Sequence, residues 1–125
     1  MYDLHEYTEL IGKTVFDITN INDEELIISL DTGEKYKFYH RQDCCESVGI
    51  EDIVGDLNDL IGSPILIAEE VIHVNENPEG VTVPEWQDAY TWTFYKFATI
   101  KGAVTIRWYG ESNGYYSESV DFCKL

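Results

Sequence analysis

The stretch ELIISLDTGEKYKFYH, residues 25–40, constrains the fold of this chain more than any other. Two runs rich in β-branched and aromatic residues flank DTGE, and alternation sends every second side chain to one face, as in a half-buried hairpin. A three-residue loop with Gly33 in the left-handed conformation sets Leu30 by Tyr36, Ile28 by Phe38 and Leu26 by His40, all apolar or aromatic on that face. The pattern predicts strands at 24–31 and 35–41, and similar runs predict others at 13–19, 65–74, 90–100, 103–110 and 115–122. Lys101-Gly102 and Ser112-Asn113-Gly114 supply turns, and NENPEGVTVPEWQD reads as irregular.

Two segments carry helical spacing instead. Asp3 and Glu6 have the form of a capping box ahead of Leu4, Tyr7, Leu10 and Ile11, with Gly12 as the stop. Ile50, Ile53, Val54, Leu57, Leu60 and Ile61 form an apolar stripe, ended by Gly62-Ser63-Pro64, that predicts a second helix. TELIGKTVFDIT and NDLIGSPILIAE share the order helix end, Leu-Ile-Gly, strand. The expected fold is α+β, a mainly antiparallel sheet with two short helices, and the repeat adds the option of two αβββ halves.

With 125 residues and 44% apolar content, the chain is read as one domain over 1–125. Twenty-four acids against eight bases give a formal charge of -16, dispersed along the sequence. Such a surface repels phosphate, so direct nucleic-acid binding and attachment to anionic membranes are not expected. MYDLHEYTEL has the form of neither a signal peptide nor a membrane anchor. Three cysteines, two of them adjacent, make a poor disulfide framework and fit a cytosolic compartment.

HRQDCCESVGIED, residues 40–52, gathers a histidine, two cysteines and several carboxylates. His40, Asp43, Cys44, Cys45 and Glu46 are acceptable metal-ligand types, but zinc sites separate paired cysteines so that both thiolates reach one ion. A nucleophilic cysteine needs a positive environment, and this one is acidic. The favoured use is structural, with Asp43 and Glu46 as a capping box into the second helix. No phosphate-cradling loop, G-x-S-x-G, H-E-x-x-H or EF-hand spacing is present, so the sequence calls for no enzyme activity, no metal and no cofactor.

RWYGESNGYYSE, residues 107–118, is the second concentration. Arg107, Trp108, Tyr109, Glu111, Ser112, Asn113, Tyr115 and Tyr116 combine flat amphipathic rings with a guanidinium fork, a mixture suited to a polar ligand with a planar ring. The competing use is cross-strand pairing, with Arg107 held by an acid such as Asp121. Lys96 joins the site in one of two possible hairpin registers, and His40 and Asp43 are expected to lend it a wall.

The blocks QDCCESVGIEDIVGDLNDLIGSPILIAEE, TWTFYKFATIKG and IRWYGESNGYYSE resemble a family of small phage and prophage proteins of uncharacterised function. The resemblance implies an accessory protein acting in the host bacterial cytoplasm, and it carries over no catalytic residue. The leading expectation is a non-enzymatic antagonist of host defence that sequesters a nucleotide-derived signalling molecule, as a homo-oligomer with pockets lined by aromatic and polar groups. The alternative is an acidic DNA mimic that occupies a basic host protein, a nuclease or another DNA-binding defence protein.

Overall fold

The alternating runs become strands, except over most of 115–122. The computed structural model describes residues 3–81, 83 and 87–125, so part of the irregular stretch at 75–88 lies outside the described residues. The strands are β1 Asp3–Leu4, β2 Val15–Ile21, β3 Glu25–Leu30, β4 Lys35–Tyr39, β5 Ser47–Val54, β6 Ile67–Val74, β7 Ala89–Thr99, β8 Gly102–Ser112 and β9 Asp121–Lys124. They form two antiparallel sheets, ordered β1-β9-β4-β3-β2 and β5-β8-β7-β6. Among the described residues regular helix is confined to two single 3₁₀ turns, Tyr7–Leu10 and Leu57–Leu60. The fold is therefore mainly β among the described residues, in place of the expected α+β. No helix among them is long and apolar enough to cross a membrane.

Both helix expectations fail for identifiable reasons. At the start of the chain the capping box lies three residues later than expected: Glu6 N donates to Glu9 Oε2 at 2.9 Å, while Asp3 pairs with Lys124 in β1. In the second segment, β5 pairs Ile50 with Trp108 and Ile53 with Ile106, with a bulge between Ile50 and Asp52. A bulge inserts one residue, so two inward side chains fall three apart in sequence and imitate helical spacing. Leu57 and Leu60 then continue the same spacing in the 3₁₀ turn.

The hairpin of β3 and β4 has the expected loop, with Gly33 at φ +93°. Its register is two residues tighter than expected, Ile28 facing Tyr36 and Leu26 facing Phe38, while Leu30 N bonds Glu34 O. A shift of two residues preserves the face, so Leu26, Ile28, Leu30, Tyr36 and Phe38 are all buried, and His40 leaves the ladder. The strand expected at 115–122 begins only at Asp121, because residues 113–120 fold back over the sheet.

The Leu-Ile-Gly repeat marks a reciprocal junction. Ile11 bridges Ile65 and Val15 bridges Ile61, while Gly12 N donates to Ile65 O at 2.7 Å and Gly62 N to Val15 O at 2.9 Å. Both glycines hold positive φ, +84° and +88°, which a side chain would strain. From each junction three strands run in order, β2-β3-β4 and β6-β7-β8. The fourth strand of each set crosses over: β5 pairs with β8 and β9 with β4. The inner faces meet in one core, where the Phe38 ring lies 4.6 Å from Tyr95 and 4.5 Å from Phe122. Burying a side chain of that size contributes about 1.5–3 kcal/mol.

The sheets differ in length. β7 and β8 have 11 residues each, β3 and β4 only 6 and 5. The second sheet thus overhangs the first, and the overhang is where the unusual residues of the sequence collect.

Candidate functional site

The overhang is dressed by residues 40–46, by Asn77 and Gln87, and by 113–120. The last is held by Glu118, whose carboxylate accepts from Thr91 Oγ1 at 2.8 Å and from Ser112 Oγ. Gly110 permits this close return, since a Cβ there would meet Glu118 Cβ and O at 2.9 Å and Val48 Cγ2 at 3.0 Å. Asn113 Oδ1 accepts from Tyr115 N, shaping a turn that leaves Tyr115 88% exposed and Tyr116 half-buried.

The 40–46 segment is organised around one buried carboxylate. Glu46 accepts from His40 Nε2 at 2.8 Å, Gln42 Nε2 at 2.9 Å, Cys44 N at 2.9 Å and Asp43 N at 3.2 Å. Burial alone would raise its pKa. The bonds from His40 and from the backbone outweigh that and hold it down, at about 2. His40 Nδ1 lies 2.7 Å from Ser119 O, so both ring nitrogens face acceptors and the ring ties the 40–46 segment to 113–120. Half of the expected capping box is realised here, Glu46 reaching back to Asp43 N, but a strand follows it and not a helix. Cys44 and Cys45 are joined as a disulfide, where the sequence reading left both thiols free. Cys123 is free and buried, and burial pushes its thiol up, away from nucleophilic use.

Arg107 does not form an open positive niche. The bulge of β5 sets Glu51 and Asp52 against it: Nε bonds Glu51 Oε2, and Nη2 lies 3.4 Å from Asp52 Oδ2. Its guanidinium carbon sits 5.7 Å from the Trp92 ring, so the side chain braces three strands across the outer face. The carboxylate partner is thus on β5, and not Asp121. The two-residue hairpin, Thr99 opposite Gly102, puts Lys96 on the same outer face, opposite Thr105 and exposed.

The remaining aromatics separate by face. Trp108 points inward, 1% exposed, and belongs to the core. Tyr109 points outward into a network with Trp92, 4.4 Å between rings: its hydroxyl donates to Glu111 Oε1 at 2.6 Å and accepts from Gln87 Nε2 at 2.8 Å. Gln87 and Asn77 pair through both amides, and Asn77 Oδ1 also accepts from Trp92 Nε1. Burial and the Glu111 contact push the Tyr109 pKa well up, so it stays a phenol. Of the polar groups that the sequence offered to a ligand, those of Arg107, Tyr109, Glu111 and Ser112 are bonded within the fold.

Two polar clefts flank the 40–46 segment. One, of about 340 Å³, is lined by Cys45, Ser47, Gln87, Asp88, Glu111, Ser112 and Asn113. The other, of about 420 Å³, is lined by His40, Arg41, Gln42, Asp43, Glu46, Ser117, Ser119 and Asp121. The expected site is therefore divided: Glu111, Ser112 and Asn113 line one cleft, His40 and Asp43 the other, and Arg107, Trp108 and Lys96 line neither. Sequence reasoning missed Glu118, Gln87 and Arg41. The long irregular stretch before β7 was a signal for Gln87, since extended loops in small domains commonly serve a site. Nothing in the spacing marked Glu118.

Acids dominate throughout. Lys37 pairs with Glu25, Lys124 with Glu34 and Arg107 with Glu51 and Asp52, while Lys101 Nζ bonds the Asn58 and Ile61 carbonyls. Four of the eight bases are thereby engaged within the fold. Among the described residues no cluster of three or more His, Cys, Asp or Glu could hold a metal ion.

No curated protein and no solved structure matches the chain. A family model described as a domain of unknown function, DUF7448, matches residues 8–122, and the chain belongs to that family.

Proposed function

We propose that this chain is a non-enzymatic acidic binding module that occupies the basic surface of a partner protein. In the phage context drawn from the sequence resemblance, that partner is a DNA-binding defence protein of the host cytoplasm, such as a nuclease. The observation that carries this reading is the closure of Arg107 by Glu51 and Asp52. The base best placed to receive an anion is neutralised, while the surplus of sixteen negative charges remains. Complementary charge speeds encounter with a basic groove and competes with the phosphates that normally fill it.

The test is competition between this protein and duplex DNA for a basic nuclease, followed by fluorescence anisotropy across a salt series. Displacement of DNA that weakens steeply from 50 to 200 mM salt is expected. Arg107→Ala is expected to leave displacement within about threefold, because the guanidinium is not part of the contact. Failure to displace DNA from any basic protein at low salt would overturn the reading.

Sequestration of a nucleotide-like molecule is the second reading. It is favoured by one observation, the cleft in which His40 and Arg41 stand with Ser117 and Ser119. A ligand at a hundred times its Kd would stabilise the fold by about 2.7 kcal/mol. Melting curves with cyclic and ADP-ribose-type nucleotides separate the two readings.

A further inference from the structure

We infer that β6 is a docking edge for an extended segment of the partner that carries basic and aliphatic residues. This rests on the acidic-module reading and names where such a partner is gripped. Among the described residues β6 is the outermost strand of its sheet. Asn75 donates its N–H to Tyr90 O at 2.7 Å, and antiparallel alternation then turns the amides of Ile72 and Val74 to the side away from β7, where no described strand pairs with them.

Edges of this kind are normally blunted by bulges, prolines or lysines. β2 and β5, edge strands of the two sheets, each contain a register shift. β6 pairs with β7 in unbroken register over Ile67–Val74, and that run contains neither Pro nor Lys. Its side-chain row is also bare. Ile72 and Val74 are 52% and 62% exposed, although they lie on the face that would be core if the first sheet reached so far. With Thr91, Thr93 and Val120 they line a groove of about 210 Å³, bounded by Glu70 and Glu118.

Charge decides the occupant. A second copy would bring its own sixteen surplus charges and the same two carboxylates to the contact, and like charges opposed across an interface cost affinity. A strand alternating aliphatic with Lys or Arg satisfies the outward amides, fills the groove and meets the acids. This is recognition by strand addition, in which the backbone gives affinity and alternate side chains give selectivity.

The experiment uses a labelled ten-residue peptide alternating Val and Lys, a Val and Glu counterpart, and amide hydrogen exchange of the whole protein. Saturable binding of the basic peptide is expected, with slowed exchange at residues 70–74 and no binding of the acidic one. Ile72→Pro, which removes an outward amide, and Val74→Lys, which keeps it and adds a like charge, should each weaken binding tenfold or more. Melting curves and tryptophan fluorescence confirm that both variants are folded. Binding of the basic peptide without protection of β6, or unchanged by Val74→Lys, overturns the docking edge and leaves the acidic-module reading standing. Protection of β6 that appears with protein concentration alone assigns the edge to a second copy and overturns it too. Absence of binding by any basic peptide or protein removes both.

Discussion

The two sheets are built from the same order of elements, yet only one of them ends where its cover ends. In the short sheet, inward positions of β3 and β4 alternate cleanly and every one of them is buried: Leu26, Ile28, Leu30, Tyr36 and Phe38. In the long sheet the same alternation runs past the edge of its partner. The inward positions there become Thr91, Thr93, Gly110 and Ser112, small or polar residues closed by the returning 113–120 segment. Beyond that cover lie Ile72 and Val74, which nothing among the described residues buries. The lesson is that added strand length, and not a new motif, creates the surface on which a site can be built.

The comparison breaks most visibly in the core. Phe38→Ala in the short sheet should cost about 3–5 kcal/mol through lost burial and a cavity between Tyr95 and Phe122, whereas Ile72→Ala in the overhang should cost less than about 1 kcal/mol. Urea denaturation measures both, and equal losses would mean that the overhang is covered after all. Gly110→Ala should fall between them at about 1–3 kcal/mol, because the new Cβ collides with Glu118 and Val48. Faster amide exchange in 113–120, with β3 and β4 unchanged, would place that cost in the overhang.

A third effect is confined to acid. Glu46 holds its proton less tightly in the fold than an ordinary glutamate at 4.5, at about 2. A folded pKa below the unfolded one adds stability above about pH 4.5, and that stability is lost as pH falls through about 2. Glu46→Gln should therefore lower stability at neutral pH and flatten the acid limb of the melting profile between those values. An unchanged acid limb would show that the carboxylate is not the group that the 40–46 segment depends on.

What the sequence disclosed follows the same division. The short sheet was legible in its strands, its turn glycine and its buried face, because alternation over a closed core leaves one solution. Even there the register slipped by two, since sliding a strand by a full period keeps Leu26, Ile28 and Phe38 on the same face. The helix expected from Ile50 to Ile61 was not legible as strand, because the bulge at Glu51 and the 3₁₀ turn each restore a three-residue spacing. That bulge also decided the fate of Arg107. Two acids opposite one base is a consequence of the extra residue, and periodicity alone cannot announce it. The cleft residues gather from segments separated by dozens of positions, so composition identified their chemistry but not their grouping.

The crossed fourth strands have a consequence for how this molecule comes into being. As the chain leaves the ribosome, β2, β3 and β4 are synthesised early, but the place beside β4 stays vacant until Asp121–Lys124 arrives. Likewise β5 must wait, unpaired, for β8. Neither half can complete its sheet ahead of the other, and the closing contacts span long sequence separations, the kind that slow folding. Cutting the chain between the two junctions would yield a pair of fragments that become native only by finding each other.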